Sequence, residues 1–480
     1  MKKLLVILLV MSMMLSATGV LADGIGSPDA PVKVVILEKD VLPTEEDVQL
    51  MIEAVEKGMA AEGNYVELEY LEAPAGKYVD VVPLALRTGQ VAADIVYFQN
   101  GVELELAQEG MLADLTEYVN NSTNVKALYK DYNWARLEKF PYLLWLCPAF
   151  TYTANIRTDI LNQLDCRDTF MADPTVENFH ALLKEIKDKG LAEYPLTTDN
   201  NKLRLDGFMN QAFGITGTVM NVDGKYVFAE VTEGSKAKLK FLHQLYEEGL
   251  FDHEFLTNTW DVMEQRYYEG IAQIISGRVG ATTKIYDDKM VATHGEGATL
   301  TILPPLKGEG QAYAAVDVIR EPRGFAIMED SEVKDAAFAV FEFICSPAGR
   351  EIDLLGIEGK HYVKAEDGTV TTTEKWPEWW NRFFESTDNL QPAELVTSLY
   401  SDAVLKSVDM ANEYYAEDTY GILTPEDLIT QKDAMNNIYN EYYADFITGQ
   451  RDIDAEWDNF VSEWNANGGD EFAEYLDSIF

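Results

Sequence analysis

The chain has 480 residues, of which 82 are acidic and 38 are Lys or Arg, giving a formal charge of −44; 47% of residues are hydrophobic and 11% aromatic. So acidic a molecule repels nucleic acid phosphates and anionic lipid, and neither is expected as a partner, while the apolar content takes the chain out of the disordered class. Three cysteines (Cys147, Cys166, Cys345) allow at most one disulfide and contain no C-x-x-C pair, which excludes a disulfide framework and a zinc knuckle.

Residues 1–22, MKKLLVILLVMSMMLSATGVLA, read as a secretory signal peptide. Lys2 and Lys3 supply the positive start, an apolar run follows to about Leu15, and Val20-Leu21-Ala22 offers small residues for cleavage. The run is too short for a comfortable membrane span. No cysteine lies near the cleavage site, so a lipid anchor has no acceptor thiol. Removal of the segment moves the formal charge from −44 to −46. The expectation is an exported soluble protein, periplasmic or at the cell surface. Residues 23–480 are too many for one core, so two lobes are expected.

PVKVVILE (31–38) reads as a buried strand, short, β-branched and apolar. TEEDVQLMIEAVEKGMA, from Thr44, has acids in its first turn and apolar residues at helical spacing. YVELEYLEA alternates as a strand; VDVVPLALRTGQVAADIVYFQNG gives a helix, a glycine turn and the buried strand DIVYF (94–98). This rhythm predicts a mostly parallel sheet covered by helices. From Tyr152, ANIRTDILNQL and DPTVENFHALLKEIKDKG both read as helices, as does 234–249. SGRVGATTKIYDD (276–288) reads as a strand and loop, and SEVKDAAFAVFEFICSPAGR as one helix. Cys147 and Cys345 sit in apolar runs and read as core thiols. Beyond Gly368 the chain reads as mainly helical and rich in Tyr and Trp.

Most chemical motifs fail on inspection. Gly359-Lys360-His361 lacks the first glycine and the Ser/Thr of a phosphate loop, and His253-Glu254 lacks the second histidine of a zinc protease helix. Gly468-Gly469-Asp470-Glu471-Phe472 spells a diguanylate cyclase signature eight residues from the chain end; it reads instead as a helix stop before a short last helix. Asp199, Asn201 and Asp206 suggest a calcium loop, but Arg204 stands where the sharp turn needs glycine, and the segment reads as a polar turn. No G-x-S-x-G appears, and 82 acids are too many for any carboxylate pair to single out a glycosidase. The expectation is therefore no enzyme, no cofactor and no metal. Trp134, Trp145, Tyr152, Trp260, Tyr286, Trp376, Trp379 and Trp380 fall near loops or element ends. Sugars stack an apolar C–H face on aromatic rings and pair their hydroxyls with carboxylates, amides and arginine, so a sugar cleft uses these residue types together.

Several segments taken in order resemble the extracellular solute-binding proteins of sugar ABC importers, family 1, of the LipO-like type. They are ADIVYFQNG with EGMLADLTEYV, then YTANIRTDILNQL with the P-T-x-x-x-F helix, then ISGRVGATTKIYDD. The block from RGFAIMED to GIEGKHYVKAEDG and the closing FITGQRDIDAEWDNFVSEW segment complete the series. The resemblance implies an α/β, two-lobed, type II periplasmic-binding-protein-like fold with a hinge and a helical C-terminal portion. One lobe is expected to hold 31–150 and 285–345, the other 151–284 and 346–480. A solute would lie between the lobes at strand carboxyl ends, hinge closure would bury it, and an ABC permease would receive it. The chain would act as a monomer. Glu38, Gln99 and Arg323 are expected to bond ligand hydroxyls, and Phe98, Trp145, Tyr152, Trp260, Tyr286 and Trp379 to stack. His361 is expected to be structural, in a hairpin shaped by Gly356, Gly359 and Gly368. An oligosaccharide is favoured by the chain length and the aromatic C-terminal part. A secreted carbohydrate-active enzyme and a non-transport surface receptor are the alternatives.

Overall fold

The structure is a computed structural model that describes residues 24–99, 102–146, 151–200, 202–314, 323–376, 379, 400–416, 418, 420, 422 and 424–480. The expected signal peptide, Cys147, Asn201 and Trp380 lie outside the described residues. The chain divides into two compact units, Met1–Pro148 with Arg320–Glu385, and Ala149–Ile319 with Ser386–Phe480.

In chain order the elements that frame the site begin with β1 (Val32–Leu37), α1 (Glu46–Ala61), β2 (Val66–Leu71), α2 (Tyr78–Arg87), β3 (Ile95–Gln99), α3 (Glu103–Gln108) and α4 (Asp131–Lys139). Next come β4 (Tyr152–Arg157), α5 (Val176–Asp188), β5 (Tyr194–Leu196), α6 (Leu203–Met209), α7 (Glu233–Glu247) and α8 (Trp260–Tyr268). They are followed by β6 (Ala272–Arg278), α9 (Ala281–His294), β7 (Leu300–Leu303), β8 (Arg323–Ile327), α10 (Lys334–Ile344) and α11 (Pro347–Leu355). The last are the hairpin β9 (Tyr362–Lys364) and β10 (Val370–Thr372), then α12 (Ile429–Thr448), α13 (Ile453–Trp464) and α14 (Asp470–Ile479).

The first unit is built on a four-stranded sheet of order β8-β3-β1-β2, with β1, β2 and β3 parallel and β8 antiparallel to β3. Its elements form where the sequence predicts. In α1, Glu46 and Asp47 sit in the first turn, where acids complement the helix dipole. Val48, Met51, Ile52, Val55 and Met59 make its buried stripe. Strand β2 alternates, with Val66, Leu68 and Tyr70 inward. The long apolar segment after β8 is two helices instead of one. Ser346 Oγ accepts the Gly349 N–H at 3.2 Å and Pro347 opens α11, so the chain restarts there.

The second unit has the sheet order β5-β6-β4-β7, in which β5 and β6 are parallel and β4 is antiparallel to both its neighbours. Two sequence expectations change here. Residues 154–157 are strand, and only Thr158–Leu161 of that segment is helical. Strand β4 lies between two strands and every one of its residues is buried, and a strand buried on both faces shows no alternation to read. Residues 281–288 belong to α9 and not to a loop; Gly280, at φ 79°, turns the chain from β6 into that helix.

The lobe boundaries also differ from the expected ones. Strand β7 pairs with β4 from Ala154 to Arg157, which keeps 285–319 with the second unit. Helix α11 packs on α1, which keeps it with the first. In the C-terminal part, Tyr442, Tyr443, Phe446, Trp457, Phe460 and Trp464 are buried in the core of the second unit. They are packing residues, and lend no weight to an extended ligand.

The hairpin of β9 and β10 closes against α1 in the first unit. His361 is wholly buried; its Nδ1 accepts the Ile357 N–H at 2.9 Å and its Nε2 lies 3.5 Å from Asp47 Oδ2. Lys360 Nζ reaches Glu46 at 3.0 Å and Asp47 at 2.5 Å. The indoles of Trp376 and Trp379 donate to the carbonyls of Leu354 and Asp353, two of the acceptors left open at the end of α11. Gly356 (φ 82°) and Gly359 (φ 84°) both occupy the left-handed region, but a Cβ on Gly356 would come 2.6 Å from His361 Nδ1, whereas one on Gly359 would meet nothing. Gly359→Ala is therefore expected to cost about 1 kcal/mol of backbone strain, and Gly356→Ala a further ~1–3 kcal/mol of overpacking. Chemical denaturation of both variants measures the difference; equal losses contradict the packing account.

Candidate functional site

In open α/β sheets ligands sit beyond the carboxyl ends of the parallel strands, so those edges are where a site is sought. At that edge of the first unit, Glu38 follows β1, and Gln99 ends β3 opposite Arg323 in the β3–β8 register. Three expected site residues thus meet along one edge. Glu38 is buried, and Asp40, two residues on, holds a left-handed φ of 60°. The Tyr78 hydroxyl donates to the Tyr97 carbonyl at 2.8 Å; burial, then the charges of Glu38 and Asp40, push its pKa well above the usual phenol range. Phe98 is buried within the sheet, opposite Gly324. Trp145 is buried as well, with the Arg136 guanidinium 4.2 Å from its ring centre. Trp379 packs 4.8 Å from the His361 ring. All three aromatics thus have packing contacts within the first unit.

Glu103 is a residue that motif reading missed. It opens α3, it is fully buried, and among the described residues neither carboxylate oxygen has a hydrogen-bond partner. Burial pushes its pKa up to about 7. Nothing in the local sequence VELELAQ marks it, because its burial comes from tertiary packing.

In the second unit the corresponding edge gathers the ends of β5 and β6 and the start of β4. Tyr152 opens β4 and pairs with Arg278, the last residue of β6. Beyond β5, Asp199 accepts from Arg204 Nε at 2.8 Å, and both side chains are buried. Arg204 Nη1 also donates to the Ser276 carbonyl of β6 at 3.3 Å. The guanidinium lies 4.7 Å from the Trp260 ring centre and 5.4 Å from that of Tyr152. Burial works against the Arg204 charge, but Asp199 and the adjacent phenols Tyr286 and Tyr152 hold its pKa above the ordinary value. One arginine therefore brings Tyr152, Trp260 and Tyr286 together.

The three rings differ in what they offer. Tyr152 is buried, and Tyr286 lies wholly inside, packed over Gly277 where a Cβ would sit 2.4 Å from its ring. Trp260 is 42% exposed, with its indole N–H donated to Glu264. Of the expected stacking residues in this unit, it alone presents much of its surface to solvent.

A buried polar joint places both partners of the stack. Asn258 Nδ2 donates to the Thr198 carbonyl at 3.1 Å and to Asp252 Oδ2 at 3.0 Å, and Thr197 Oγ1 donates to the same Asp252 oxygen at 2.7 Å. Thr198 precedes Asp199, and Asn258 lies two residues before Trp260, so the joint fixes the spacing between the loops that carry them. The acids of the calcium-like segment have other partners: Asp199 holds Arg204, and Asp206 accepts from Lys238 Nζ at 2.6 Å. Among the described residues no group of three or more His, Cys, Asp or Glu is placed to hold a metal ion. No described helix is long and apolar enough to cross a membrane.

Two measurements follow. Arg204→Met leaves a buried, unpaired Asp199 and is expected to cost about 3–5 kcal/mol, while the double variant Arg204→Met/Asp199→Asn recovers most of that loss; denaturant unfolding reads both. Glu103, whose acidity is weakened on folding, contributes stability below pH 4.5 that is lost as pH rises through about 7, amounting to ~3 kcal/mol. Glu103→Gln should abolish that slope, and an unchanged pH profile would show that Glu103 is solvated.

The description "Bacterial extracellular solute-binding protein" fits residues 43–351 of the chain. No curated protein matches the sequence. Among solved structures, the alginate-binding protein AlgQ2, crystallised without calcium ion, is 16% identical, with a TM-score of 0.65 over 96% of this chain and 99% of its own. The N-glycan transport solute-binding protein NgtS from Streptococcus pneumoniae is 16% identical, with a TM-score of 0.67 over 93% and 97%. An HMO-binding, ABC-transporter-associated solute-binding protein from Bifidobacterium longum infantis is 14% identical, with a TM-score of 0.63 over 93% and 98%. At these identities the likeness establishes the fold: α/β, two-lobed, of the type II periplasmic-binding-protein class. By its sequence and by the architecture of its two sheets, this chain belongs to the bacterial extracellular solute-binding protein family.

Proposed function

We propose that the protein captures a carbohydrate, of oligosaccharide size, and passes it chemically unaltered to an ABC importer, acting as an exported monomer. The observation that carries this reading is Trp260, a tryptophan with much of its surface open at the strand carboxyl edge and backed by a buried arginine, in a chain of the solute-binding family. Indole faces match the C–H faces of sugar rings. The fold neighbours named for alginate, N-glycan and HMO binding support a saccharide of more than one unit. In this reading Trp260 stacks against the sugar, and the interior rings Tyr152 and Tyr286 of the same unit shape the wall behind it.

A thermal-shift screen across oligosaccharides should find a stabilising ligand, worth about 2.7 kcal/mol at a hundred times its Kd. Trp260→Ala should weaken that ligand by about tenfold, the size of a lost aromatic stack. The saccharide should be recovered intact after long incubation. Shortened or rearranged products would replace this reading with that of a carbohydrate-active enzyme, and normal sugar uptake by cells lacking the protein would favour a receptor.

A further inference from the structure

The stack of Arg204 on Trp260 has a consequence for the kind of ligand that fits. Arg204 contributes a planar cation whose side chain is only 3% exposed, 4.7 Å from the indole centre, while Trp260 remains 42% exposed. A guanidinium against a ring is attracted to its negative π face and is held there as long as its own partners fix it. Those partners are Asp199 and the Ser276 carbonyl, both in the same unit. The indole N–H is tied in addition to Glu264 on α8. The ring is therefore restrained on one face and at its edge.

Because Asp199 already neutralises Arg204, the stack offers no net positive charge to an anionic ligand. A polyanion also meets a molecule with a formal charge of −44 that repels it during encounter. An uncharged sugar ring meets no such penalty.

We propose that Arg204 is a positioning residue that holds Trp260 as a one-sided platform, and that this platform takes an uncharged sugar ring in preference to a uronate. The positioning half stands on the geometry alone. The ligand half rests on the carbohydrate reading given above.

The test uses the full chain labelled with 5-fluorotryptophan, with the Trp260 resonance assigned through Trp260→Phe. Arg204→Met/Asp199→Asn removes both buried charges together, keeps the net charge, and avoids stranding Asp199. The parent should give one narrow Trp260 signal. The double variant, at an unfolding midpoint close to the parent's, should give a broadened or split signal, and Arg204→Lys should fall between the two. A narrow, unshifted signal in the double variant would overturn the positioning role. If the double variant fails to fold, Arg204→Lys decides alone, since an ammonium cannot reproduce the paired hydrogen bonds that fix the guanidinium over the ring, and an unchanged signal then counts against the proposal.

The ligand class is read on the same signal, with neutral and uronate oligosaccharides of matched length as probes. Neutral oligomers should move it at concentrations on the order of tenfold lower than uronates, and the double variant should lose about tenfold in affinity for them. A response confined to uronates sinks the charge preference while leaving the carbohydrate reading intact. A response to neither sinks the carbohydrate reading together with the preference, and the ring-ordering result still decides the role of Arg204.

Discussion

The buried pair of Asp199 and Arg204 is the constraint on which the second unit's edge depends. Removing two charges from water is costly, and attraction between them offsets that cost only when the remaining donors find partners. Here they do: Asp199 takes Nε, the Ser276 carbonyl takes Nη1, and two aromatic rings line the guanidinium. The pair therefore specifies one arrangement of the loop after β5, the end of β6, the start of β4 and the first turn of α8. Without it these segments would share an edge but not a fixed geometry.

The polar joint below the pair serves the same end. Asp252 sits in the segment after α7 and binds Thr197 beyond β5 and Asn258 before α8, so one carboxylate ties the loop after β5 to the α7–α8 connection. Such a joint is rigid only if fully satisfied. Its position beside the sheet, away from solvent, gives it the strength of a low-dielectric hydrogen-bond network. The first unit is organised differently: it carries buried acids, Glu38 and Glu103, and its Phe98 and Trp145 are buried. The hairpin of His361 belongs to that structural machinery, since both ring nitrogens face partners within the same unit.

Much of this was legible in the sequence because local pattern and tertiary role agree. The strand–helix alternation of the first unit follows directly from β-branched runs and helical stripes. The family resemblance rested on motifs in order, Glu38 and Gln99 were legible as strand-end positions, and Trp260 as a residue near a loop or element end. The reading failed where burial is tertiary. Ala154-Asn-Ile-Arg157 looks helical until it is placed between two strands, and the Tyr and Trp residues of the C-terminal helices look like support for an extended ligand until they are seen filling a core. Arg204 was noticed only as the residue that spoils a calcium loop. An arginine between closely spaced acids, where a glycine is required, is itself a sign that the cation is supplied by the protein.

The central claim is that Trp260, held by Arg204, is the surface a sugar touches. Intermolecular NOEs between a bound oligosaccharide and the indole protons test it most directly. The account predicts contacts from sugar C–H protons to the Trp260 ring, and none to the buried rings of Tyr286 and Trp145. A saturated complex in which Trp260 shows no such contacts would contradict it.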